Sequence, residues 1–199
     1  MDNPFDVVAI VGSLRRDSYT RRLVSSFGAL APASMKIEIV EIRDLSLYNQ
    51  DDEASPPVPW VNFRKRIKRA DAVLFATPEY NRSVPAALKN AIDVGSRPYG
   101  SSSWSGKPAA IISNSPGMLG AFGANHHLRQ SLVFLDMPTL QQPEVYIGQA
   151  DKLFDTSGNF ANPATRDLCS KFLGAFDAWI RKISPAGARS ASDRTTADR

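Results

Sequence analysis

The 199-residue chain carries one cysteine and two histidines, the latter adjacent in sequence. With Cys169 alone, no internal disulfide can form, a usage compatible with a reducing compartment. Cys169 falls inside a helical pattern, where a structural role is expected. His126 and His127 are predicted to sit side by side on a helix, so their side chains diverge by about 100° and no metal site is expected. No uninterrupted apolar stretch approaches the roughly 20 residues of a membrane span, and the opening MDNPFD lacks the basic and apolar regions of a secretory signal. A soluble, cytoplasmic protein is the expectation. Two common nucleotide-binding fingerprints are missing as well. The loop after the first apolar run has one glycine where a dinucleotide site needs three, and it does not end in the Gly-Lys-Ser/Thr of a triphosphate loop. No internal repeat is present.

What is there suffices for one buried domain. Hydrophobic residues make up 43% of the chain and charged residues 22%, consistent with a single domain over residues 1–183. The stretch PAGARSASDRTTADR has almost no large apolar residue, and 184–199 is expected to be a disordered tail. The net charge of +4 raises the question of nucleic acid. The densest basic cluster is Arg64, Lys65, Arg66, Lys68 and Arg69. Trp60, Phe63 and Ile67 fall within it at helical spacing, so the charges read as the solvated side of an amphipathic helix. No nucleic-acid partner is expected, although a modest positive field suits anionic substrates.

The stretch Val7 to Leu23, VVAIVGSLRRDSYTRRL, carries the most information. Val7 to Val11 are apolar without alternation, as in a parallel strand buried on both faces. Gly12 lets the backbone turn. Ser13, Ser18 and Thr20 can hydrogen-bond phosphate oxygens, and Arg15 or Arg16 can supply charge, all near the free N–H groups of a helix start. A hydroxyl-rich loop with one glycine suits a terminal monophosphate, with flavin mononucleotide as the leading candidate. A serine-rich helix cap with solvated arginines is the plain alternative.

Strand-like and helix-like segments alternate along the chain, which predicts an α/β sheet with helices on both faces. Strands are expected at Val7–Val11, Lys36–Ile42, Asp71–Ala76, Ala109–Ile112 and Thr139–Ile147. Helices are expected near Tyr19–Leu30, around the basic cluster, after Ser83 as a cap, through Leu128, Leu132 and Phe134, and from Pro163 with a stripe of Leu168, Phe172, Phe176, Trp179 and Ile183. In an open parallel sheet all strand carboxyl ends share one edge, so the loops after the first, third and fourth strands converge. The second of these, Pro78-Glu79-Tyr80-Asn81-Arg82-Ser83, suits a flat ring. The third, Ser113 to Gly123, has glycines that permit close backbone approach to that ring.

In this combination the chain resembles the NADPH-dependent FMN reductase family, in particular its bacterial quinone and chromate reductase branch. Gly12-Ser13-Leu14-Arg15 with Ser18, Thr77-Pro78-Glu79-Tyr80-Asn81, Ser115-Pro116-Gly117 and His127-Leu128-Arg129-Gln130 carry the resemblance, which runs from about Val7 to Ile183. It implies a flavodoxin-like three-layer α/β sandwich with a five-stranded parallel sheet. It also implies phosphate binding by Ser13, Arg15, Ser18 and Thr20, isoalloxazine contact by Pro78, Glu79, Tyr80 and Asn81, and ring-edge contact by Ser115 and Gly117. From the residues themselves, Tyr80 is expected to shield the ring, and Arg97 either to reach an anionic substrate or the nicotinamide carboxamide or to stabilise the carboxyl end of the helix before it. The implied activity is transfer of hydride from NADPH or NADH, through bound FMN, to quinones and other acceptors such as chromate, azo dyes, ferric chelates and free flavin.

No catalytic side chain is needed beyond the cofactor, and a homodimer or homotetramer is implied. Two positions depart from the branch. Val94 stands where Trp is common, and Gly123 where Arg is common, which puts subunit contacts through that arginine in doubt. Two other functions stay open on the sequence. One is a non-enzymatic FMN electron carrier of flavodoxin type, against which the basic net charge counts. The other is a different phosphate-binding α/β protein.

Overall fold

The computed structural model describes residues 3–184. Five strands, β1 (Phe5–Val11), β2 (Met35–Val40), β3 (Ala72–Thr77), β4 (Ala109–Asn114) and β5 (Val145–Ile147), form one parallel sheet in the order β2-β1-β3-β4-β5. The helices are α1 (Tyr19–Ser26), α2 (Val58–Arg69), α3 (Ala86–Gly95), α4 (Phe122–Phe134) and α5 (Pro163–Ile183). Parallel strands require crossovers, and helices therefore cover both sheet faces. The fold is flavodoxin-like.

Side-chain alternation divides the interior in two. Val7, Ala9 and Val11 of β1 face a core shared with Leu23 and Val24 of α1 and Phe172, Leu173 and Phe176 of α5. Val8 and Ile10 face the other core, with Trp60, Phe63 and Ile67 of α2, Leu88 and Ile92 of α3, and Leu128 and Leu132 of α4. The central strands β1, β3 and β4 are thus apolar on both faces, whereas β2, at an edge, alternates exposed Lys36 and Glu38 with apolar neighbours. The chain crosses from β1 outward to β2 and then back past β1 to β3 on its other side. That switch point is where a crevice opens beyond the strand ends.

Several local expectations shift. β2 starts at Met35 and ends at Val40, and β4 continues two residues past Ile112 to Asn114. α1 stops at Ser26 and passes into a tight 3-10 turn at Phe27–Ala29. Of the expected fifth strand only Val145–Ile147 joins the ladder, with Thr139 making a lone bridge to Ala109. Pro143, which has no N–H to donate, interrupts the stretch between them. Ser83 does not cap α3, which starts after Pro85 without a side-chain cap. Phe134 and Leu168 stay on the surface, at 88% and 36% exposure, and the buried stripe of α5 is Cys169, Phe172, Leu173, Phe176 and Ile180.

The basic face of α2 is not simply solvated. Arg64 is buried, with its guanidinium bonded to Glu53 (2.7 Å) and to the Val94 carbonyl (2.8 Å). Arg66 pairs with Asp6 and Glu38. The expectation for the tail concerns residues that, apart from Ser184, lie outside those described.

Candidate functional site

The first loop leaves β1 at Val11. The Gly12 N–H donates to the Ala76 carbonyl (2.8 Å), extending the β1–β3 ladder by one rung. A Cβ on Gly12 would lie 3.3 Å from the Pro78 ring, so the first loop rests directly on the second. Ser13 and Ser18 are buried at its two ends. Ser18 is the N-cap of α1, its Oγ accepting from the Arg21 N–H (3.1 Å). The Ser13 Oγ accepts from the Arg15 N–H at 3.4 Å. Each hydroxyl retains its own proton to donate. Arg15 and Arg16 are exposed, Arg15 lying 5.6 Å above the Tyr19 ring. Arg43, which follows β2, donates to the Leu14 carbonyl and ties the loop down from the far side. Thr20, on the first turn of α1, is buried and donates its hydroxyl proton to Asn114 Oδ1 at the end of β4 (2.7 Å).

The second loop is a tight hairpin. Tyr80 and Ser83 exchange backbone hydrogen bonds (3.1 and 3.0 Å), and Asn81 and Arg82 between them have φ of 51° and 65°. Two positive φ values are the signature of a type I′ turn, which asparagine tolerates well. The hairpin lifts Tyr80 to the surface, half exposed, with Pro78 at its base. Glu79 turns away from solvent. Its Oε2 accepts from the Ala124 N–H (2.9 Å) and caps α4, whose own N-cap, Ala121, has no side chain to do so. A Cβ at Gly123 would meet the Arg82 carbonyl oxygen at 2.8 Å and Glu79 Oε2 at 2.9 Å. Glycine there is a condition of the hairpin docking on α4.

The third loop is pinned to β5. The Ser115 N–H donates to the Ile147 carbonyl and the Ser115 carbonyl accepts from the Ala150 N–H, both at 3.0 Å. Beneath it, Ser113 Oγ donates to the Gly120 carbonyl (2.8 Å) and accepts from Asn125 Nδ2 (3.2 Å). Gly117 lies exposed at the loop's crest, next to Ser115.

The fold thus brings Ser13, Arg15, Ser18, Pro78, Glu79, Tyr80, Asn81, Ser115 and Gly117 onto three interlocked loops at one sheet edge, with Thr20 in the first helical turn beside them. Arg97 is not among them. It follows the carboxyl end of α3, where Gly95 packs on Trp104 just ahead of β4, and its guanidinium sits over the exposed Tyr99 ring (5.9 Å). α3 runs antiparallel to the strands, so Arg97 lies at the opposite edge of the same chain. The two histidines part company as expected: His126 contacts the Tyr146 hydroxyl and His127 the Ser83 hydroxyl, each at 3.0 Å. Burial and the hydrogen bond to Glu144 raise the pKa of Tyr146. Sequence reasoning missed Asn114, Arg43 and the capping role of Glu79. For Asn114 the available signal was a polar pair, Ser113-Asn114, directly after an apolar strand.

The donors present fit a flavin monophosphate. Ser13, Arg15, Arg16 and Ser18 lie on the loop that runs into the start of α1, where a helix N-terminus favours an anion, and Asn114 Nδ2, whose carboxamide accepts from Thr20 in the first turn of α1, is buried without a hydrogen-bond partner among the described residues. A cleft of about 300 Å³ runs from Met118 of the third loop to Lys152 and Thr165, and one of about 510 Å³ lies against β2 and α2; neither contains a first-loop residue.

Residues 5–152 match the NADPH-dependent FMN reductase family. A quinone reductase of Pseudomonas putida is 57% identical over 182 residues, covering 91% of this chain and 97% of the relative. A 2-hydroxy-1,4-benzoquinone reductase of a Burkholderia species is 42% identical over 88% of this chain and 96% of its own length. Among solved structures, FerB, a flavoenzyme NAD(P)H:(acceptor) oxidoreductase from Paracoccus denitrificans, superposes with a TM-score of 0.84 at 39% identity, covering 90% of this chain and 98% of its own.

Proposed function

The chain belongs to the NADPH-dependent FMN reductase family, and from that premise we propose that it binds FMN at the carboxyl edge of its sheet and reduces quinones with NAD(P)H. The observation that carries the reading is the set of three loops, locked to one another at the β1/β3 switch point, with buried serine donors at the base and an exposed tyrosine hairpin at the rim. Bound FMN supplies the redox chemistry, taking a hydride from the nicotinamide and passing two electrons to the acceptor. The chain's own task is placement. Ser13, Ser18 and Arg15 hold the phosphate, with Thr20 beside them. Pro78, Glu79, Tyr80 and Asn81 line the ring, Tyr80 covering its solvent side. Ser115 and Gly117 present backbone to its polar edge, where N–H groups stabilise negative charge.

An electron carrier of flavodoxin type is not favoured, because relatives spanning nearly the whole chain are reductases. Chromate and other small oxidants belong to the proposal as further acceptors. So does assembly as a homodimer or homotetramer, supported by the exposed side chains of Tyr99, Val133 and Phe134. Arg97 can serve an anionic substrate only from a neighbouring subunit of such an assembly. A cytoplasmic location is proposed on the single buried thiol, and no described helix is long and apolar enough to cross a membrane.

The test is NADPH oxidation with 1,4-benzoquinone, using protein stripped of flavin and then titrated with FMN. Activity that depends on FMN, with parallel double-reciprocal lines, is expected. No oxidation at saturating FMN contradicts the proposal.

A further inference from the structure

We propose that Asn114 is a phosphate-binding residue: Oδ1 holds Thr20 in the first turn of α1, and Nδ2 donates to the FMN phosphate. The inference rests on the FMN reading above. Asn114 closes β4 on the face it shares with Ala110 and Ile112, toward α1 and α5, and only 1% of it is exposed. Its Oδ1 accepts the Thr20 hydroxyl proton at 2.7 Å. Its Nδ2, carrying two N–H bonds, has no partner among the described residues. Buried polar groups are nearly always paired, so an orphan donor beside an anion cradle points to a missing acceptor.

Proton counting then decides which member of the pair faces the anion. Threonine has one hydroxyl proton, and here Asn114 takes it. What remains on Oγ1 is lone pairs, which repel a phosphate oxygen. The carboxamide nitrogen is the group with protons free to give. The Asn114 carboxamide is bonded to Thr20 in the first turn of α1, the end of the helix that Ser18 caps and where negative charge is stabilised. The other buried orphan among the described residues, Ser103 Oγ, lies in the α3–β4 connection, away from the three loops.

The experiment compares FMN with riboflavin, which has the same ring and ribityl arm but no phosphate, by flavin fluorescence quenching in wild type, Asn114→Asp and Thr20→Val. Aspartate keeps the shape and the acceptor for Thr20 but replaces the donor with negative charge. Asn114→Asp is expected to weaken FMN binding about 10- to 100-fold. Riboflavin binding should change less than about 3-fold, because a charge-assisted contact is lost only with the phosphate. Thr20→Val should cost FMN less than Asn114→Asp. Apo-protein circular dichroism checks folding, and Asn114→Leu carries the test if the aspartate variant is unfolded, with the same selectivity expected. Equal loss for both flavins, no loss for either, or a larger effect at Thr20 overturns the proposal. Failure of wild-type protein to bind FMN overturns the FMN reading itself.

Discussion

Gly117→Ala and Gly120→Ala, three residues apart in the third loop, are expected to fail in opposite ways. Gly120 has φ of +57°, and a Cβ there would lie 2.6 Å from the Tyr146 carbonyl carbon and 2.7 Å from the Ile147 nitrogen. An alanine held at positive φ costs about 1–2 kcal/mol, and pressing a methyl into backbone costs about 1–3 kcal/mol more. The sum, about 2–5 kcal/mol, lowers Tm by roughly 2–4 °C per kcal/mol in a chain of this length. Gly158 supplies the control. It has φ of +85° but nothing within 4 Å, so Gly158→Ala carries the conformational cost alone. Gly117 is under neither constraint, since its Cβ would meet only Ser115 Oγ at 3.6 Å. Gly117→Ala should therefore melt like wild type yet, on the proposed ring-edge role, bind FMN more weakly. Calorimetric melts of the apo proteins and FMN titrations read both effects. A Gly120→Ala melt no lower than that of Gly158→Ala refutes the packing argument. Unchanged FMN affinity in Gly117→Ala refutes the ring-edge assignment.

Glu79→Ala removes the cap on the Ala124 N–H and should cost about 0.5–2 kcal/mol, seen in denaturant midpoints, with a raised quinone KM as the hairpin loosens. Glu53→Gln leaves the Arg64 guanidinium, buried against Trp60, without its carboxylate, and about 3 kcal/mol of destabilisation is expected in urea unfolding. Alkaline stability follows Cys169, whose thiol is pushed by burial from an ordinary 9 up to about 12. The folded state favours the protonated thiol, so this contribution is complete below pH 9 and is lost as pH rises toward 12, at no more than about 1.4 kcal/mol per pH unit. Tyr146, also raised by burial, acts in the same direction above pH 10. Urea midpoints should fall from pH 8 to pH 10, and less so in Cys169→Ala.

The central strands were legible because a parallel strand buried on both faces leaves an unbroken apolar run, as in Val7–Val11. Their order along the chain placed three loops at one edge, and residue types in those loops indicated phosphate and ring binding. What the sequence hid was tertiary. Nothing local marks Glu79 as a helix cap until α4 is seen to arrive with an uncapped end. Arg64 reads as surface charge until Glu53, eleven residues away in a polar loop, is seen to cover it. Thr139–Ile147 looks strand-like in composition, yet Pro143 breaks it and only a lone bridge at Thr139 and the short β5 join the sheet. The Thr20 hydroxyl bonds Asn114, 94 residues away, a contact that no local pattern announces.

The most direct test is an anaerobic titration of FMN-loaded protein with NADPH, following the oxidised-flavin absorbance against a protein-free control. Rapid bleaching at one NADPH per flavin, reversed by one equivalent of benzoquinone, is expected. Flavin that binds but is not reduced by NADPH or NADH would contradict it.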